Sequence, residues 1–304
     1  MSVLESGSSF AGHRIERLLG SGGMGEVYLA TSERSGQIVA LKVLAESVAH
    51  DPQFSARFVR ESRIAREVDH PHVVKVLESG EHLGRLFMST TYIEGPDLSA
   101  VLALEGRLHP GHAALIVAQI GDALAAAAGE GLVHRDVKPG NIFITAGAEP
   151  HAYLGDFGLS KHVSSTSGLT KTGQWLGTID YASPEQLQGA PVDQRTDIYA
   201  LGAVLYRALA GVVPYDLPRD VDKMLAHLSS PPPPFDVELG LPPGFASAVE
   251  RAMAKSPGDR YQDASELGRD ALAAAADAGP PPPWRWEEVV EGNAPIDPDA
   301  PTVA

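Results

Sequence analysis

The sequence contains no cysteine among its 304 residues, which excludes disulfides, zinc-thiolate sites and thiol nucleophiles and is compatible with a reducing compartment. It is also short of cations. Lys and Arg number 24 against 39 Asp and Glu, a formal charge of -15, whereas binding to nucleic-acid phosphates needs clustered basic side chains. A nucleic-acid partner is therefore disfavoured, and the acidic tail speaks against a role on an anionic membrane surface. Residues 1–10 lack the basic start and apolar run of a secretory signal and carry Glu5 instead. Long apolar runs are missing too: the best, residues 198–213, is interrupted by Arg207 and falls short of the ~20 residues a membrane span requires. A buried helix is expected there, no membrane segment, and a cytoplasmic location for the chain.

What is present is ordinary globular material, 43% hydrophobic and 21% charged, with a length that suits about two lobes of ~150 residues. Short β-branched or aromatic runs at 15–19, 27–30 and 38–43 read as strands, as do 73–77 and 86–90. Between them, Phe54, Phe58, Ala65 and Val68 recur at helical spacing, so residues 54–68 are expected to form the one helix of this part. Beyond residue 92 the pattern is mainly helical, with helices expected at 113–128, 197–209, 244–253 and 264–276. Pro231 to Pro234 cannot be helix. From Gly279 four prolines precede Trp284 and an acid-rich end, so 277–304 reads as a disordered tail.

The chemistry-bearing residues begin with Gly20-Ser21-Gly22-Gly23-Met24-Gly25, a G-x-G-x-x-G string. A hairpin turn collects glycines as well. Here, however, a second strand through Val27 follows, which suits a flap over a ligand better than a strand-to-helix dinucleotide turn. Glycine backbones approach phosphate without a Cβ clash. Val39-Ala40-Leu41-Lys42 puts a cation inside an apolar strand. Lys42 either snorkels to the surface or needs an anion, and Glu61 on the expected helix or a phosphate would supply one. Next come His134-Arg135-Asp136-Val137-Lys138-Pro139-Gly140-Asn141 and, twenty residues beyond Asp136, Asp156-Phe157-Gly158.

Taken together and in order, Gly20/Gly22/Gly25, Lys42, Glu61, His134-Arg135-Asp136, Asn141, Asp156-Phe157-Gly158 and Ser183-Pro184-Glu185 resemble the protein-kinase signature set. The string 177–186 makes the likeness closest to bacterial eukaryotic-like (Hanks-type) serine/threonine kinases. The resemblance covers residues 13–276 and implies an α+β, two-lobed fold: a small antiparallel sheet with one helix over 13–92, a larger mainly helical lobe over 93–276, and a flank at 1–12.

It implies roles as well. ATP would lie under Gly20, Ser21, Gly22, Gly23, Met24 and Gly25, between Val27, Ala40 and Phe143. Thr90 would be the gatekeeper, and backbone groups of Thr91 and Ile93 would bond the purine. Lys42, paired with Glu61, would hold the α- and β-phosphates, and Asn141 and Asp156 would hold Mg²⁺ or Mn²⁺. Asp136 would take or orient the proton of the substrate hydroxyl, and Lys138 would steady the γ-phosphate. Arg135 would dock a phosphorylated activation loop, with Thr170 and Thr172 as the autophosphorylation sites. Glu185 and Arg260 would form a buried ion pair, and Asp197 would bond the catalytic-loop backbone. Partners would be proteins with Ser or Thr acceptors, and a homodimer for activation in trans is permitted. An inactive scaffold of the same fold would lack one of these charged groups, and a small-molecule kinase would lack the peptide-positioning segment 177–185; both features are present.

Overall fold

Period-two alternation builds the first sheet and decides which residues face the cleft. The computed structural model describes residues 4–22, 25–46, 52–145, 147–157 and 179–284. Six strands, β1 (Ser9–Phe10), β2 (His13–Gly22), β3 (Gly25–Ser32), β4 (Ile38–Leu44), β5 (Val76–His82) and β6 (Arg85–Thr91), pair antiparallel in the order β1-β2-β3-β4-β6-β5. On β4, Val39, Leu41 and Val43 are buried with Tyr28, Ala30 and Phe87 in the outer core of this lobe. Ala40 and Lys42 therefore fall on the opposite face, with Val27 directly across from Lys42. Helix α1 (Pro52–Glu67) buries Phe54, Phe58 and Ala65, the apolar stripe expected of it.

Two boundaries differ from the sequence reading. Residues 4–12 of the expected flank belong to the small lobe: Phe10 is buried in its core, and the Leu4 N–H donates to the Tyr28 hydroxyl at 3.0 Å. The strand expected at 73–77 starts only at Val76. Val73 bridges Leu154 instead, the Val74 N–H donates to the Leu154 carbonyl at 2.9 Å, and the Leu154 N–H donates to that of His72 at 2.8 Å. A valine run suits either sheet, and here the large lobe's hairpin satisfies its backbone.

That lobe contains α2 (Leu98–Glu105), α3 (Pro110–Gly129), the hairpin β7 (Ile142–Thr145) with β8 (His151–Leu154), α4 (Pro184–Gln188), α5 (Gln194–Ala210), α6 (Asp220–Ser229), α7 (Pro243–Ala252) and α8 (Ala264–Ala275). Helix α5 is buried on nearly all sides and forms the centre. Helices α3 and α8 approach at glycines: a Cβ on Gly121 would lie 2.7 Å from the Ala264 carbonyl oxygen, and one on Gly268 would lie 2.6 Å from the Ala118 Cα. Among the described residues α3 is the one helix long and apolar enough to cross a membrane, and it is mostly buried as a core helix.

The folded part also reaches further than the expected tail boundary at 277. A 3₁₀ turn, Ala276–Ala278, follows α8, and Trp284 packs on the core with its ring edge-on to His112 at 5.0 Å. Its Nε1–H is buried without a hydrogen-bond partner among the described residues. Trp284→Phe keeps most of the contact and deletes an orphan donor, so its stability in urea unfolding is expected to equal or exceed that of the native chain. Trp284→Ala is expected to lose about 1–3 kcal/mol.

Candidate active site

The cleft between the sheet and the β7–β8 hairpin encloses a cavity of about 260 Å³. Nine of the residues expected at the nucleotide or metal line it: Gly20, Val27, Ala40, Lys42, Thr90, Thr91, Ile93, Phe143 and Asp156. Met88 and Tyr92, of the expected hinge segment 88–95, line it too, as do Leu19, Val74 and Gly155, which were not anticipated. Met88 was within reach of sequence reasoning, because it lies two residues before Thr90 on one strand face and opposite Lys42. Val74 was not, since its place depends on the contact with Leu154.

The glycine string divides by function. A Cβ on Gly20 or Gly22 would meet nothing within 4 Å among the described residues, which leaves open space at both. Gly25 has φ +142, and a Cβ there would lie 2.2 Å from the Val43 carbonyl oxygen, so strand contact alone requires glycine. Ser21 and Gly22 pair with Glu26 and Gly25 on the hairpin and do not line the cavity. Gly23 and Met24 lie outside the described residues. In the linker between the lobes the Thr91 N–H donates to the Lys75 carbonyl at 2.9 Å, which leaves the Thr91 carbonyl for a purine.

The expected pairing of Lys42 with Glu61 is not the one found. Lys42 Nζ meets Asp156 Oδ1 at 2.7 Å, and Glu61 Oε1 faces Arg135 Nη1 at 3.6 Å. The hairpin delivers Asp156 to the cleft face of β4, where a half-buried ammonium takes the carboxylate nearest to it. Asp156 has φ +57, a left-handed conformation that Asp tolerates better than most residues.

Around Asp136 the structure brings Lys138 and Asn141 together. Lys138 Nζ donates to Asp136 Oδ2 at 2.9 Å, and Asn141 Nδ2 donates to the Asp136 carbonyl at 2.7 Å and to its Oδ2 at 3.2 Å. With its nitrogen so engaged, Asn141 has its amide oxygen left as a ligand. The Gly155 N–H donates to the Asn141 carbonyl at 2.9 Å, tying the two expected metal residues together. One carboxylate and one amide oxygen are a hard donor pair, which fits Mg²⁺ or Mn²⁺ completing its shell with phosphate and water.

The loop itself is held from below by Asp197, whose oxygens accept the N–H groups of His134 and Arg135, each at 2.7 Å. His134 Nε2 donates to the Gly155 carbonyl at 3.0 Å, so its Nδ1 is left to accept the Asp136 N–H at 3.2 Å. Arg135 has φ +66 and is not glycine, a strained conformation that costs on the order of 1–3 kcal/mol. Burial pushes the Asp197 carboxyl up to about 7, against the pull of the two N–H groups. Because this folded value lies above the unfolded one, the carboxyl's contribution to stability is complete below pH 3.8 and is lost as pH rises through 7. The loop nevertheless needs the ionised form as acceptor for both donors. Asp197→Asn turns an amide N–H toward one of them and is expected to lower kcat about tenfold or more. The native pH–rate profile should show an acid limb near pH 7 that this variant lacks.

Glu185 and Arg260 form the expected buried pair, with Nη1 to Oε1 at 2.7 Å and Nη2 to Oε2 at 2.8 Å, and Thr196 Oγ1 donates to Oε1 at 2.7 Å. Gly158, Thr170, Thr172 and Gly177 to Thr178 lie outside the described residues.

The family model described as "Protein kinase domain" matches residues 13–247. Serine/threonine-protein kinase PknE of Mycobacterium tuberculosis is 42% identical over 273 residues, 90% of this chain and 48% of that protein. PknJ of Mycobacterium bovis is 38% identical over 304 residues, 97% of this chain and 51% of its own. The chain thus spans about half the length of these curated relatives. The crystal structure of the Mycobacterium tuberculosis PknI kinase domain matches with a TM-score of 0.71 at 33% identity, covering 90% of this chain and all of that one.

Proposed function

Since this chain belongs to the protein kinase family, in its bacterial Hanks-type serine/threonine branch, we propose that it transfers the γ-phosphate of ATP to Ser and Thr hydroxyls of proteins, with Mg²⁺ or Mn²⁺. The observation that carries this reading is a chain of contacts: the cavity is lined by Lys42, Gly155 and Asp156, the Gly155 N–H bonds the Asn141 carbonyl, and Asn141 with Lys138 holds Asp136.

In this reading Val27, Ala40 and Phe143 cover the purine faces, and Lys42 neutralises phosphate charge from the sheet side. Asn141 and Asp156 would hold the cation, whose bound form supplies charge neutralisation on the phosphates. Asp136 orients the substrate hydroxyl and accepts its proton. The hydroxyl oxygen bonds to the γ-phosphorus, the bond from phosphorus to the β–γ bridging oxygen breaks, and ADP leaves with that electron pair. Lys138 balances charge at the transferred group.

Autophosphorylation of Thr170 and Thr172, in trans within a transient homodimer, belongs to the same proposal. Arg135 supports it, because a phosphate dianion would compete with Glu61 for the guanidinium. A requirement for ATP supports a cytoplasmic location for this part of the chain in the same proposal.

Incubation of the purified chain with MgATP, followed by intact mass and site mapping, tests the proposal. Phosphoryl groups on Ser or Thr, including Thr170 or Thr172, are expected, and none in an Asp136→Asn control. Nucleotide binding without transfer, in the presence of a Ser/Thr peptide, would overturn the activity; phosphorylation with neither threonine modified would remove the switch alone.

A further inference from the structure

We infer that Gln186 is a positioning residue for catalysis, clamping the peptide that leads into Asp136 to helix α4, at the end of the expected peptide-positioning segment. The inference rests on the kinase reading of that site.

Gln186 occupies the third position of α4, after the N-cap Ser183, and completes a capping box. Its Oε1 accepts the Ser183 N–H at 3.1 Å. Capping requires nothing further of the side chain, yet its Nε2 reaches 51 residues back along the chain and donates to the Arg135 carbonyl at 2.9 Å. Chemistry fixes this amide orientation, because a backbone N–H only donates and a carbonyl only accepts.

The carbonyl concerned belongs to the peptide bond joining Arg135 to Asp136. Arg135 has positive φ, and its own N–H is held by Asp197 Oδ1 at 2.7 Å. The strained residue is thus gripped at both ends, by Asp197 at its N–H and by Gln186 at its C=O. The second grip sets the peptide plane whose N–H goes to His134 Nδ1 and from which the Asp136 carboxylate projects. Gln186 itself has a stiff base, since the adjacent Glu185 is pinned by Arg260 and Thr196. The void between these elements is only about 10 Å³, at the lower bound for a single water, so solvent has little room to replace the amide. Displacement of α4 would release the Arg135 peptide, and with it the aim of Asp136.

Gln186→Glu separates this role from capping. Glu is an accepted capping-box residue and keeps the oxygen that serves Ser183, but at neutral pH it presents a second acceptor to the Arg135 carbonyl. The expected result with a Ser/Thr peptide is a kcat lower by about tenfold or more, with KM for ATP within about twofold of the native value. Hydrogen exchange of the Asp136 amide is expected to quicken. Gln186→Met, which loses the same donor without adding charge, should behave alike if the Glu variant folds poorly. An unchanged kcat in a folded variant would overturn the inference, as would parallel losses of kcat and ATP affinity. If the native chain transfers no more phosphate than Asp136→Asn, the kinase reading itself has failed, and the inference falls with it.

Discussion

Asp136→Asn is expected to slow phosphoryl transfer about 10³-fold while leaving nucleotide affinity close to native. The geometry explains both halves of that result. Two donors, Lys138 Nζ at 2.9 Å and Asn141 Nδ2 at 3.2 Å, converge on Asp136 Oδ2. A carboxylate satisfies them and still has acceptor capacity for the substrate proton. An amide has one oxygen, which those donors would claim, so its NH₂ would turn toward the hydroxyl and offer a proton where one must be taken. Asp136 does not line the nucleotide cavity, so binding there has no reason to change. Single-turnover transfer to a Ser/Thr peptide, with nucleotide affinity measured by calorimetry, checks both. A variant within about tenfold of the native rate would deny Asp136 its role as base.

Arg260→Ala is expected to destabilise the fold by about 3–5 kcal/mol, because it strands a buried carboxylate. Arg260 is 1% exposed, and its five N–H groups are all used: two on Glu185, and the others on the carbonyls of Ala254, Arg195 and Lys255. Burial by itself pushes the Glu185 carboxyl up, but hydrogen bonds from Arg260 and Thr196, together with the Arg260 charge, bring it below its ordinary value of 4.5. A depressed carboxyl contributes stability above its unfolded pKa and loses it as pH falls through the folded value. In the variant the upward push of burial dominates, so the sign reverses and acid relieves the stranded charge. The stability gap between native and variant chains should be widest near neutral pH and narrow below about 4.5. Urea unfolding at several pH values reads this directly; a gap independent of pH would mean that the loss is packing alone.

The two-lobed architecture was legible because it is written locally. Val39, Leu41 and Val43 alternate, Phe54 and Phe58 repeat at helical spacing, and Lys42, Asp136, Asn141 and Asp156 stand in short strings whose members stay neighbours in the fold. What depended on distant partners was less legible. Nothing near Lys42 or Glu61 tells which carboxylate the ammonium will face, since Asp156 arrives from a separate hairpin. The His72 carbonyl and the Val74 N–H are satisfied across the lobes, so the strand-like run at 73–77 joins its own sheet only from Val76. Trp284 looked like part of a disordered tail because its packing partner, His112, lies on a distant helix. Gln186 stood out only as the last residue of the string 177–186, and its bond to the Arg135 carbonyl is visible only once α4 stands beside the catalytic loop.

The backbone stitch between His72, Val74 and Leu154 also has a mechanical meaning. It attaches the small lobe to the large one at a second point beside the linker, one residue from the Lys75 carbonyl that accepts the Thr91 N–H, so a rocking sheet would turn on an axis through those two attachments. Leu154 lies two residues before Asp156, close to that axis. A tilt that carries the glycine hairpin through a wide arc would therefore shift Asp156 only slightly, as the rim of a door travels while its pin merely turns. A lobe rocking on that axis would leave Asp156, Asn141 and Asp136 at their mutual spacing.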